Sequence, residues 1–126
     1  MSYIDASDVV RKAIVTTIRN LGYTVNGTAF PRVEIMSVTA TFGPDKDNKI
    51  EEASAQLDII TSGTTPAQAI SMRSKIVEKF CLIGLDGMVG LIAVICELDM
   101  DEDIHESDEV NEIWRRVLRF NILTDK

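Results

Sequence analysis

With 126 residues, 45% of them hydrophobic and 26% charged, the chain has enough apolar material for one domain with its own core, which excludes a disordered tail. Its net charge of -7 and isoelectric point of about 4.6 argue against a surface that grips nucleic acid or an anionic membrane. The two cysteines, Cys81 and Cys96, belong to no CxxC pair and sit in apolar runs, as reduced core thiols do, although a disulfide between them stays open. Met1-Ser2-Tyr3-Ile4-Asp5 lacks the basic and apolar regions of a signal peptide, and the apolar run from Met88 to Cys96 is too short to span a bilayer. A soluble, intracellular protein is therefore expected.

A first helix is predicted over Asp5–Leu21. Val10, Ala13, Ile14, Thr17, Ile18 and Leu21 recur at three- and four-residue spacing, Asp5 suits the N-cap, and Gly22 suits the turn that ends the helix. Tyr23 to Phe30 reads as a polar connection with a turn at Asn26-Gly27. Pro31 suits the first residue of a strand that continues through Val33, Ile35 and Val38 to Phe42. The turn signal Gly43-Pro44-Asp45-Lys46-Asp47-Asn48 then leads into a second strand, about Ile50 to Thr61, and the two form an antiparallel hairpin. In the second strand Ala53, Ala55, Leu57 and Ile59 point one way and Ser54, Gln56 and Asp58 the other.

Thr65 as N-cap, Pro66 at the first position and Gln68 closing a capping box start a second helix, expected to reach about Leu82 and stop near Gly84. Its apolar positions, Ala69, Ile70, Met72, Ile76, Val77, Phe80 and Cys81, span a wide arc beside a wet stripe of Gln68, Ser71, Lys75, Glu78 and Lys79. Met88 to about Leu98 reads as a strand without alternation, apolar on both faces, so that one of its faces wants cover from a neighbouring subunit. The last strand, Ile113–Thr124, alternates: Trp114, Arg116, Leu118, Phe120 and Ile122 share one face, Arg115, Val117, Arg119, Asn121 and Leu123 the other. The fold class is α+β in the order α-β-β-α-β-β, an antiparallel sheet with two helices packed on one face, in a single domain spanning residues 1–126.

Between the last two strands, Glu97–Glu112 holds nine carboxylates and no Lys or Arg, which leaves the rest of the chain at +2. The expectation is an acidic loop. Asp99, Asp101 and Asp103 have the Asp-x-Asp-x-Asp opening of a calcium loop, but Ile104 stands where the glycine belongs and Val110 where the bidentate glutamate belongs, so no metal site is assigned. The only histidine, His105, offers no paired ligand, and Gly84, Gly87 and Gly90 precede a strand instead of linking a strand to a helix, so they form no phosphate loop. No set of residues has the arrangement of a nucleophile, base and oxyanion donor, and no catalytic residue or cofactor is assigned. Arg115, Arg116 and Arg119 carry either ion pairs within the sheet or pairs to an acidic segment of another copy.

In its order of parts the chain resembles the small tail terminator (tail completion) proteins of long-tailed phages and prophages and their head-tail joining relatives. The resemblance runs from the amphipathic first helix through Phe30-Pro31-Arg32-Val33-Glu34-Ile35, Leu57-Asp58-Ile59-Ile60-Thr61-Ser62-Gly63 and the second helix. It ends on Trp114-Arg115-Arg116-Val117-Leu118-Arg119-Phe120-Asn121-Ile122, of which Arg-Arg-Val-Leu-Arg-Phe is the most familiar piece. The match is loose over Tyr23–Ala29 and the acidic segment. The resemblance implies a non-enzymatic subunit of a homo-oligomeric ring, commonly a hexamer, that caps the tail tube, ends its polymerisation and offers the head a docking surface. Its partners would be the tail tube protein and a head-completion or neck protein, and DNA would pass through without specific binding. It implies a place in the tail or neck of a virion assembled in the host bacterial cytoplasm, with no membrane partner. Within this frame the expected subunit-interface residues are Met88, Leu91, Ile92, Val94, Trp114, Arg115 and Arg119. The acidic residues Asp99, Asp101, Glu102, Asp103, Glu106, Asp108 and Glu109 are expected at the lumen or an interface. Another virion subunit of similar build, or a small-ligand-binding α+β domain, are the alternatives.

Overall fold

The computed structural model of the chain describes residues 6–42, 50–89, 92–107 and 112–125. Its elements follow the order helix α1 (Ala6–Asn20), strands β1 (Arg32–Phe42) and β2 (Ile50–Ser62), helix α2 (Ala67–Glu78) with a π-helical turn (Lys79–Ile83), and strands β3 (Ile92–Ser107) and β4 (Glu112–Asp125). The four strands form one antiparallel sheet in the order β1-β2-β4-β3, so β2 and β4 are central and β1 and β3 are edges.

Both helices lie on one face. Val10, Ile14 and Ile18 of α1 and Ala69, Met72 and Ile76 of α2, with Phe80 of the π turn, join Ala53, Ala55, Leu57 and Ile59 of β2 and Leu118, Phe120 and Ile122 of β4 in one buried cluster. The period of two in the strands and the three-and-four spacing in the helices bring these side chains to a common plane. Helix α1 lies over β1 and β2, α2 lies over β2 and β4, and the π turn reaches β3.

The ends of the helices have local causes. Gly22, at φ 90, closes α1: its N–H bonds to Arg19 O at 2.9 Å and that of Tyr23 to Ile18 O at 3.2 Å, a left-handed cap that costs glycine no steric penalty. The Asp5 cap lies outside the described residues. Helix α2 starts one residue later than the sequence suggests. Pro66 is its N-cap and its carbonyl accepts the first turn's bond from Ile70 N at 3.0 Å, while Thr65 Oγ1 accepts from Ala67 N at 3.4 Å, so the threonine still serves the first turn from one residue further out. At its other end the helix widens: Gly84 N bonds back to Lys79 O at 2.7 Å, and Gly84 itself takes φ 118. Ile70, expected on the buried arc, is exposed instead.

Segment 24–26 closes part of the β1 edge. Val25 bridges to Val33, Asn26 N donates to Val33 O, Val33 N donates to Thr24 O, both at 2.8 Å, and Asn26 Oδ1 accepts from Ile35 N at 3.1 Å. Just beyond, β1 bulges at Met36. The turn over residues 43–48 lies outside the described residues.

Candidate assembly surface

The acidic segment is a strand for most of its length. The expected loop over Glu97–Glu112 is corrected: β3 continues to Ser107 and pairs with β4 along the whole way, from Ile92↔Asp125 to Ser107↔Glu112. The strand also starts later than Met88; Met88 and Val89 precede it. The physical reason is the partner. Strand β4 puts Arg115 opposite Ile104 and Arg116 opposite Asp103, so carboxylates that repel one another in isolation meet guanidinium groups across the ladder. Two bulges, at 93–95 and 98–100, bend β3 and add twist.

Alternation then divides the acids between two faces. On the helix face, Asp101 is held by two arginines: Oδ2 accepts from Arg73 Nε at 2.9 Å and from Arg116 Nη2 at 3.0 Å, and Oδ1 accepts from Arg116 Nε. These bonds, Arg116 first and then Arg73, keep its carboxyl below the usual range against the opposing effect of burial. On the same face His105 stacks flat on Trp114, with ring centroids 3.9 Å apart and planes 7° from parallel. The Trp114 indole packs against the core and donates to Gly63 O at 3.1 Å.

Asp101 yields a pH prediction. A carboxyl whose folded pKa is depressed stabilises the fold above its unfolded value, about 3.9, and that stability is lost as pH falls through the folded value. Asp101→Asn is expected to lower stability by about 1–2 kcal/mol at neutral pH. The gap to the parent should narrow as pH drops below about 4, read by thermal unfolding across a pH series. A gap independent of pH would show that shape, and not charge, is what Asp101 supplies.

No helix of the described residues lies on the second face. Here Asp58, with its side chain 5% exposed, accepts from Arg115 Nη1 at 2.7 Å, and Arg115 Nε also lies 3.3 Å from Glu106 Oε1. Those partners, Asp58 first, raise the Arg115 pKa against the cost of burial. Arg119 Nη2 donates to Gln56 Oε1 at 3.3 Å, and Arg32 pairs with Glu34 at 2.7 Å. Ile60 and Val117 are buried on this face although no helix of the described chain lies over it; Ile60 stands in register between Arg32 and Arg115, whose long stems shade it.

Among the residues expected at an interface, Met88 packs against the core, Ile92 and Val94 lie on β3, and Leu91 is outside the described residues. Trp114, Arg115 and Arg119 fall on β4, a central strand, where Arg115 is already engaged by Asp58 and Glu106 of its own chain. Asp99, Glu102 and Asp103 are exposed on β3, while Asp108 and Glu109 lie outside the described residues. The sequence reading missed Arg73 and Asp58. Arg73 reaches Asp101 from another element and has no local signal; Asp58 was legible as a polar residue on an alternating strand, but its arginine partner required the register.

Cys81, on the π turn, and Cys96, on β3, are free thiols and both half-buried. Burial and the neighbouring Cys81 push the Cys96 thiol well up. They border an open cleft between the π turn and β3 of about 360 Å³, rimmed by Leu82, Ile83 and Ile95.

This architecture is shared with a known particle. No family model matches the chain. No curated protein matches it either. Among solved structures, a chain from the virion of a native gene transfer agent particle superposes with a TM-score of 0.68, covering 96% of this chain and 95% of that one at 12% identity. The two chains have the same fold. At that identity the likeness concerns the path of the backbone and the whole-length layout, and it leaves the side-chain chemistry to be read from this chain alone.

Proposed function

We propose that this protein is a non-enzymatic structural subunit of a phage-like virion, which forms a ring at the end of the tail tube, ends tube polymerisation and presents the surface to which the head docks. The observation that carries the reading is the whole-length fold shared with a chain of a gene transfer agent virion, with neither chain leaving a domain unmatched. Two features support it. Among the described residues the sheet has one face without a helix, edged by β3, and an open face of this kind is what a neighbouring subunit covers in an assembly. The described acids of β3 lie on an edge strand, from which they would face a neighbour or a lumen through which DNA slides without being held. The subunit-interface set of Met88, Leu91, Ile92, Val94, Trp114, Arg115 and Arg119 and the acidic set that includes Asp108 and Glu109 belong to this proposal.

The test is removal of the protein from the particle that encodes it. Tails of uneven, excessive length that carry no heads are the expected result by negative-stain microscopy. Tails of normal length joined to heads would overturn the proposal. A second reading, a head-completion or neck subunit, fits the same whole-length likeness to a virion chain. Loss of such a subunit would give detached tails of normal length beside filled heads, which separates the two.

A further inference from the structure

The two flanks of the subunit are complementary to each other, and we propose that the β3 flank of one copy docks on the α1 flank of the next, head to tail. This inference rests on the ring reading and specifies its contact. On the β3 flank, Glu97, Asp99 and Glu102 are exposed and make no ion pair among the described residues, Asp103 is exposed across the ladder from Arg116, and Asp101 and Glu106 are engaged within the chain. Beside them stand the exposed apolar side chains Leu82 at 81%, Ile83 at 67% and Ile95 at 44%, around the cleft between the π turn and β3.

The cations that meet these acids are found by elimination. Arg73, Arg115 and Arg116 already hold carboxylates, as do Lys12, Arg32 and Lys79. Among the described residues, those without a carboxylate are Arg11 and Arg19 on α1, Lys75 on α2, and Arg119, which bonds to Gln56. Arg119 lies on the central strand and Lys75 on the outer stripe of α2, between the flanks. Arg11 and Arg19 are exposed on the helix that covers β1 and β2, across the sheet from β3. The same flank exposes Met36 at 50% on the β1 bulge.

Over Val33 to Ile35 the contact is made by side chains and not by continuation of the sheet, because the β1 edge there is already occupied by Thr24 to Asn26. Acid and apolar groups on one flank with base and apolar groups on the other make a heterologous interface, whose repetition closes to a ring when the rotation per subunit divides the circle. Opposite charges between flanks also discourage β3 from pairing with a second β3, since like acids would face each other.

The experiment is native mass measurement of the wild-type chain and two charge-reversed variants, Arg11→Glu/Arg19→Glu and Asp99→Lys/Glu102→Lys, with circular dichroism to verify that each is folded. The wild-type is expected as a ring whose mass falls with added salt. Each variant alone is expected to lose the ring and run as the single 14.0 kDa chain, and mixing the two variants should restore ring mass, because one junction of an alternating ring is then the native acid–base pairing and the other sets the introduced lysines against the introduced glutamates. A wild-type ring unaffected by either reversal would assign these flanks to another protein or to solvent and overturn this inference while leaving the ring reading intact. Loss of the ring in both variants without recovery on mixing would overturn the pairing of the two flanks. A wild-type chain that is monomeric at every concentration would overturn the ring reading and this contact together.

Discussion

Phe120→Ala is expected to destabilise the fold by about 3–5 kcal/mol, the range for truncating a buried aromatic. Phe120 is fully buried on the central strand β4, and its ring lies 4.8 Å from that of Phe80, tilted by 44°. It thus joins the sheet to the π turn, and no neighbour can fill the space, because Leu57, Leu118 and Ile122 are held by the ladder. For a domain of this size the melting temperature should fall by on the order of 10 °C. Urea unfolding followed by circular dichroism measures the change, and a loss under about 1 kcal/mol would show that the site collapses around the alanine.

Arg115→Met is expected to cost about 2–3 kcal/mol, from the opposite face of the same strand. The methionine keeps the stem that shades Ile60 but removes the guanidinium, leaving the Asp58 carboxylate buried without its partner; Asp58 Oδ1 already has no hydrogen bond among the described residues. The value is set at the lower end of the range because the Arg115 side chain is 24% exposed and water screens part of the pair. Asp58→Asn combined with Arg115→Met should recover most of the loss, since the uncompensated charge is gone. A double variant no more stable than the sum of the two single changes would show that the residues act independently, and that the pair is a surface contact in spite of its burial.

How these two residues stand to the sequence is instructive. The alternation of β4 already puts Phe120 on one face and Arg115 on the other, and it reads correctly because a strand's period of two needs no knowledge of its neighbours. That Asp58 sits beside Arg115 follows only from the register, in which Ile60 faces Arg115 and Asp58 faces Val117. The same limit explains the acidic segment. Nine carboxylates with no local cation look like a solvated loop, yet Met100, Glu102, Ile104 and Glu106 alternate with Asp101, Asp103 and His105 in the manner of a half-buried strand. Charge density hid that alternation because the arginines that offset it lie on another strand.

The apolar run near Met88 finds cover within the chain on one face only: Cys96 and Leu98 of the edge strand β3 pack inward, while Ile95, on the face opposite the helices, stays exposed in the single chain, where the sequence asks for cover from a neighbouring subunit. The centre of the sheet went to β4, which carries three arginines, because its helix-side residues Leu118, Phe120 and Ile122 are large and its outer residues find partners in β2 and β3.

The sequence by itself determined the order of helices and strands, the core faces of α1, β2 and β4, and the α+β class, because propensity and periodicity act over a few residues within one element. Only the tertiary structure decided the order of the strands across the sheet, the strand state of the acidic segment, the capture of Asp101 by Arg73 and Arg116, and the separation of an acidic flank from a basic one. Each of these depends on which residues, distant in the chain, come within a few ångströms of each other, and the energy that selects them is absent until the sheet has closed.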